Sequence, residues 1–348
     1  MQRPVTRRRL WWLILLSVVG LFVSLRPVIS QATTGNGAGF TIQMVPNPRQ
    51  TTGVTNYFDL TVKPGQTGTL QMRVINLTKE NLHLQLASNT GYTTSNGNEA
   101  YDLAKLGTRS TAQYHLNELL KTPAKLTLAP TATKLVTVPY QIPKTGFDGV
   151  LEGAFYFLNL SSGVSQSTNQ RGFYLHNRYA VALGLVLCQN TTPVVKPKLV
   201  LKKIGTGIEQ RKKFSPAISV KLANVAPQLL KKLTIDGRIY DQNSRLKYRT
   251  KRTGLGMAPA SNFDYLINTG NKRLSAGKYR LRLVATAGKQ RWVFNRQFTI
   301  TKAAADQANA ETPRDWRWLW WSLLIVLVLL VLWLAYRFGK YQAEKKSA

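Results

Sequence analysis

The sequence predicts an all-β chain: two tandem Ig-like β-sandwich domains, preceded by a signal peptide and followed by one transmembrane helix. Three observations carry this. Apolar residues recur at every second position in short runs from Phe40 onward, turn residues fall between the runs, and a long apolar stretch lies near each end.

At the N-terminus, Arg7, Arg8 and Arg9 precede an apolar run of 16 residues, Leu10 to Leu25. Ser30 and Ala32 then occupy the −3 and −1 positions of a cleavage site, so residues 1–32 read as a signal peptide and 33–39 as a linker of small residues. In the next segment, Leu70, Met72 and Val74 alternate with Gln71 and Arg73, and Leu82, Leu84 and Leu86 with His83 and Gln85. Leu135 and Val138 run up to Pro139, and Leu151 to Leu160 is a longer aromatic-rich strand. Pro64-Gly65, Asn96-Gly97 and Phe147-Asp148-Gly149 supply turns, and Tyr114 to Leu120 is a short helix.

The second half repeats the pattern. Val181, Leu183, Leu185 and Leu187 lead into a junction at Pro193 and Pro197. Ile218, Val220 and Leu222 alternate with polar residues, Ile235 and Ile239 flank Gly237, and Tyr279, Leu281 and Leu283 alternate with Lys278, Arg280 and Arg282. Val293 and Phe298 close the domain. In each half an alternating strand ends in a turning asparagine, Asn76 and Asn224, which suggests two related modules.

At the C-terminus, Trp318 to Tyr336 is 19 residues without a charge, long enough at about 1.5 Å per residue to span hydrocarbon. Trp316, Trp318, Trp320 and Trp321 gather at one end and Trp333 and Tyr336 at the other, as interface belts. Residues 303–317 form a juxtamembrane linker. The tail 337–348 carries Arg337, Lys340, Lys345 and Lys346 and is expected in the cytoplasm, which leaves the two domains outside.

Charge divides the chain. The formal net charge is +33, and residues 166–302 hold 27 Lys and Arg against 4 Asp and Glu. That contrast sets the expected domain limits at 40–165 and 166–302. Lys212 and Lys213, the stripe Arg245, Lys247 and Arg249, and the stripe Lys278, Arg280 and Arg282 are candidate binders of a polyanion. Outside a cell the ligands of that class are teichoic acid, anionic lipid headgroups and sulfated glycans; nucleic acid is topologically misplaced. The plain reading is a solvated basic surface that guards strand edges. Tyr92 and Tyr101 are candidates to stack on sugar faces, against a core role for the same rings.

Enzymatic chemistry finds no footing. His83, His115 and His176 are dispersed, and Cys188, the one cysteine, lies in an apolar strand, so no nucleophile–base pair can be drawn and no metal or cofactor is expected. A lone cysteine also excludes an intramolecular disulfide.

The chain resembles the WxL-interacting protein family of Gram-positive surface proteins. In the first domain the matching residues are Phe40-Thr41-Ile42 through Pro46, Tyr57 to Leu60, Lys63 to Gln66, Val74 to Asn76, and Phe147-Asp148-Gly149 ahead of Gly153. In the second they are Tyr179 to Val181, Asn224, Met257-Ala258-Pro259 before Phe263, Gly277-Lys278-Tyr279, and Trp292 to Phe294 before Phe298-Thr299-Ile300. Family members usually carry a Gly-Gly pair where this chain has Glu152-Gly153, and the loop Asn89 to Tyr101 follows the family only loosely. The resemblance implies a membrane-anchored surface scaffold or adhesin. It would bind cell-wall peptidoglycan, partner proteins carrying WxL domains, and host matrix. The alternative is an extracytoplasmic assembly chaperone that caps partner strands by β-augmentation.

Overall fold

The computed structural model describes residues 37–161, 178–189, 195–210, 214–270, 272–310, 320–330 and 333. Both modules described below belong to one compact unit that begins at Ala38. The expected signal peptide, most of the linker, His176, Lys212, Lys213, Trp316, Trp318, Tyr336 and the tail lie outside the described residues.

The first module contains β1 (Phe40–Met44), β2 (Phe58–Thr61), β3 (Thr67–Asn76), β4 (Leu82–Thr90), β5 (Tyr92–Thr93), β6 (Glu99–Ala100), a one-turn helix α1 (Leu116–Leu119), β7 (Lys125–Leu128), β8 (Thr133–Gln141), β9 (Gly149–Asn159) and β10 (Ala180–Gln189). Two sheets, β1-β3-β8 and β2-β10-β9-β4-β7, share one core. Alternation puts Leu70, Met72 and Val74 of β3 into it opposite Phe155 and Phe157 of β9, all with no exposed surface. Burying each of these side chains contributes about 1.5–3 kcal/mol. On β8 the inward residues are Val136, Val138 and Tyr140, and Leu135 is 52% exposed. Pro139 is tolerated there because β8 is an edge strand whose outer side carries only an isolated bridge, in which the Pro139 carbonyl accepts from the Lys121 amide and no proline N–H is needed.

The second module contains β11 (Leu199–Gln210), β12 (Phe214–Asn224), β13 (Leu230–Tyr240), β14 (Leu246–Met257), β15 (Ser261–Asn268), β16 (Gly277–Ala287), β17 (Gln290–Ile300) and the helix α2 (Lys302–Ala310). Its sheets, β11-β12-β15 and β14-β13-β16-β17, again share one core, with Tyr265 at its centre and its hydroxyl within donating distance of the carbonyls of Thr250, at 2.7 Å, and Ile235, at 3.0 Å.

Two elements cross the expected domain limits. β10 pairs antiparallel with β9 over its whole length and parallel with β2, so it completes the first module's sheet although it follows the limit at 165/166. The cause is packing: Leu183, Leu185 and Leu187 are buried in the first core. At the other end, residues 303–310 are part of α2, not a linker. Ala305 and Ala308 enter the second core, and the Asn309 side chain makes two bonds to the backbone of Leu274.

Asn76 and Asn224 play matching parts. Asn76 Nδ2 donates to the carbonyls of Glu80 and Ala129, and Asn224 Nδ2 to those of Gln228 and Ala258. Each ends its strand and closes a turn four residues on. Among the described residues no helix is long and apolar enough to cross a membrane. Residues 320–330 and Trp333 are helical, with Trp320 72% exposed.

Candidate functional site

The outer face of the sheet β14-β13-β16-β17 gathers the excess charge. Because β-strand residues alternate between faces, cross-strand partners share a side. Arg249 pairs with Arg238, Arg238 with Arg282, and Arg282 with Asn295, giving one row of three guanidiniums across the sheet. Lys251, Asp236, Val284 and Val293 form the adjoining row, and Tyr240, Arg280 and Gln297 the row on the other side. Lys278 and Arg291 are exposed further along the same face.

Asp236 organises the centre. Its carboxylate accepts from Arg238 at 2.7 and 3.1 Å and from Arg249 at 3.0 and 3.1 Å. These bonds, that of Arg249 foremost, hold its pKa below the ordinary carboxylate value. Arg280 lies over the Tyr240 ring at 5.2 Å, and Val293 is 41% exposed beside Val284.

The two stripes expected from the sequence therefore meet on one sheet, joined by β13. Arg249, Arg280, Arg282 and Lys278 stand on its open face, while Arg245 and Lys247 sit at the β13–β14 turn, bound by Asp241 through the Arg245 backbone amide and a 4.0 Å ion pair. Arg238 and Asp236 were missed, although their alternation with Ile235, Gly237 and Ile239 was a usable signal. An open groove of about 1080 Å³ beside β11 and β12 also carries charge, but two of its three cations are matched, Lys221 to Asp264 at 4.0 Å and Arg252 to Glu209 at 3.2 Å, which leaves Lys203.

Of the two candidate sugar-stacking tyrosines, Tyr92 is buried and Tyr101 half-buried. Tyr92 is 8% exposed, its hydroxyl donates to Asp102 at 2.8 Å, and Arg109 lies 5.9 Å from its ring centre. Burial pushes its pKa up to about 12. Tyr101 is half-buried and donates to Glu152 at 2.8 Å. Among the histidines, His83 is exposed beside Thr127, and His115 caps α1. Burial raises the Cys188 thiol pKa, which leaves it a poor nucleophile.

A polar seam joins the modules. Ser261 Oγ donates to the Ala258 carbonyl, so Thr93 Oγ1 donates to Ser261 Oγ at 2.6 Å and accepts from the Ala258 amide at 3.1 Å. Backbone bonds run from Gly256 to Gly97, Thr111 to Ala260 and Val150 to Pro227 at 2.7–2.8 Å. Glu152 and Glu99 meet at this seam. Burial raises the pKa of both, the Glu152 carboxyl to about 7, and each feels Lys231 across the seam. Glu152 Oε2 has no donor while both are ionised; a proton on Glu152 lets the two carboxyls bond to each other.

Residues 40–159 match the family model described as WxL Interacting Protein, peptidoglycan binding domain, and residues 170–310 match WxL Interacting Protein, host binding domain. The chain belongs to the WxL-interacting protein family. Several residues that carried the resemblance, Ala258, Pro259 and Gly149 among them, line the seam of this WxL-interacting protein. Comparison with curated proteins gave no match. Solved structures similar in part include the E. coli chaperone DraB, at 12% identity over 75% of this chain and 98% of that one, with a TM-score of 0.26. The Pseudomonas aeruginosa chaperone CupB2 shares 14% identity over 66% and 91%, with a TM-score of 0.23. A PapD-like domain of human CEP192 shares 13% over 48% and 95%, with a TM-score of 0.27. Likeness at this level carries no argument.

Proposed function

We infer that this WxL-interacting protein is a non-enzymatic scaffold of the cell surface. The first module holds peptidoglycan, and the second engages partner proteins with WxL domains or host matrix. Each module is read as an Ig-like sandwich, since its two sheets enclose one core. The apolar segment 318–336, with its terminal tryptophans, serves as the membrane anchor and leaves the modules outside. One observation carries the reading: a peptidoglycan-binding and a host-binding module stand in tandem on one chain, closed against each other by hydrogen bonds. Such a seam holds two ligands at a fixed spacing, as a scaffold requires.

The test combines two measurements. Protease added to intact cells should cleave residues 40–310, and the purified chain should sediment with isolated peptidoglycan. Protection from the protease would overturn the topology, and a chain left in the supernatant would overturn the wall-binding role. Crosslinking on mature cells should retain a WxL-domain partner; a partner captured during export and then released would favour a chaperone instead.

A further inference from the structure

We propose that the outer face of the sheet β14-β13-β16-β17 is a binding site for a linear sulfated glycan, read by the guanidinium row Arg249, Arg238 and Arg282. The inference is independent of peptidoglycan binding by the first module.

Three features of the face point to this ligand. The first is spacing. Neighbouring strands lie about 4.8 Å apart and alternate residues on one face about 7 Å apart, so the cations form a lattice on the scale of a charged sugar repeat. The second is preorganisation. Three long arginines side by side would ordinarily splay into water, but Asp236 fixes Arg238 and Arg249 through four hydrogen bonds, and Tyr240 supports Arg280. Fixed planar guanidiniums match the oxygens of sulfate groups by paired N–H donors, and less side-chain freedom remains to be lost on binding. The third is the apolar strip Val284 and Val293 in the next row. A polyol phosphate chain presents charge without ring faces. A sulfated pyranose presents charged groups together with C–H faces that this strip can cover, and this favours the glycan.

Asp236 separates the proposal from a general attraction to positive charge. Removing it makes the face more positive by one unit, so a diffuse field would bind more tightly. A positioning role requires the opposite, because Arg238 and Arg249 lose the acceptor that holds them.

The purified full chain in detergent would be titrated with size-defined heparin by calorimetry over a range of salt. Poly(glycerol phosphate) and a short single-stranded DNA would serve as comparison polymers. Binding to heparin should weaken steeply with salt and exceed binding to either comparison polymer at equal charge. Replacing Arg249, Arg238 and Arg282 together by Gln should weaken it at least tenfold. The salt slope should fall by about 2, since each engaged cation contributes roughly 0.7–0.9 on nucleic acids. Replacing Lys198, Lys202 and Lys203 by Gln removes the same charge from the region of β11 and should change affinity less than twofold. Asp236→Asn should weaken heparin binding several-fold despite the added charge. Equal losses from the two triple variants, tighter binding by Asp236→Asn, or a preference for poly(glycerol phosphate) or DNA would each overturn the assignment. Circular dichroism would confirm that each variant is folded, and the single variant Arg282→Gln, at an exposed position, provides a second reading of the same row.

Discussion

Glu152 gives the protein a dependence on pH that can be worked out from the seam. Burial is the main cause that raises its carboxyl from the ordinary 4.5 to about 7, and the Glu99 charge adds to it. A raised acid pKa means that the folded state holds the proton more tightly than the unfolded chain. Between pH 4.5 and 7 the folded state therefore binds more protons, and stability falls as pH rises through that window. Each unit is worth about 1.4 kcal/mol, so the loss is on the order of 3 kcal/mol by pH 8. Glu99 shifts the same way and reinforces the slope. Asp236 shifts oppositely: its contribution is lost as pH falls from the ordinary value of 3.8 through the lowered one, below this window. Glu152→Gln mimics the protonated form, because Tyr101 can still donate to the side-chain oxygen. Thermal unfolding at pH 5, 6, 7 and 8 should show the parent chain and the variant close together at pH 5. They should diverge to roughly 6–12 °C at pH 8, at about 2–4 °C per kcal/mol. Lys231→Met should steepen the parent's decline, since the ammonium favours both carboxylates. Parent and Glu152→Gln curves that coincide at every pH would refute the reasoning.

Other perturbations test the rest of the frame. Arg252→Met strips the cation from Glu209, whose side chain is 6% exposed, and should cost about 3–5 kcal/mol in urea unfolding. Asn224→Ala and Asn76→Ala each remove two bonds to backbone carbonyls and should each destabilise by about 2–6 kcal/mol, at about 1–3 kcal/mol per lost partner, with Asn76 at the low end because Glu80 and Ala129 are exposed. A cost below 1 kcal/mol for either would deny it the turn-closing part. At Gly149 the φ is +68°, and a Cβ would sit 2.3 Å from the Pro227 carbonyl oxygen. Gly149→Ala should therefore open the seam, measured as faster hydrogen exchange at the Val150 amide, and unchanged exchange would contradict that contact.

Much of the architecture was legible before any coordinates. Period-two spacing marked β3, β4, β12 and β16 because one face of each strand must be buried, and Asn76 and Asn224 already signalled a repeated turn. Spacing gave no face for Leu135 or Val293, because an apolar residue on an outer face looks the same in sequence as one facing the core. β10 falls beyond the 165/166 limit, although the dense run of charge starts only at Lys196 and Pro193 and Pro197 already marked a junction after this strand. At the site, two stripes of cations could be read separately, since parity along one strand is a local property.

What the chain by itself determined is local: which positions alternate, where turns fall, where charge accumulates and which segment suits a membrane. Strand order and register are non-local, set by which apolar faces can be buried together. They alone decided that Arg249, Arg238 and Arg282 form one row around Asp236, and that Glu152 meets Glu99 at the seam. Linear spacing carries no record of partners a hundred residues away, because the forces that choose them act only once two sheets have closed on a common core.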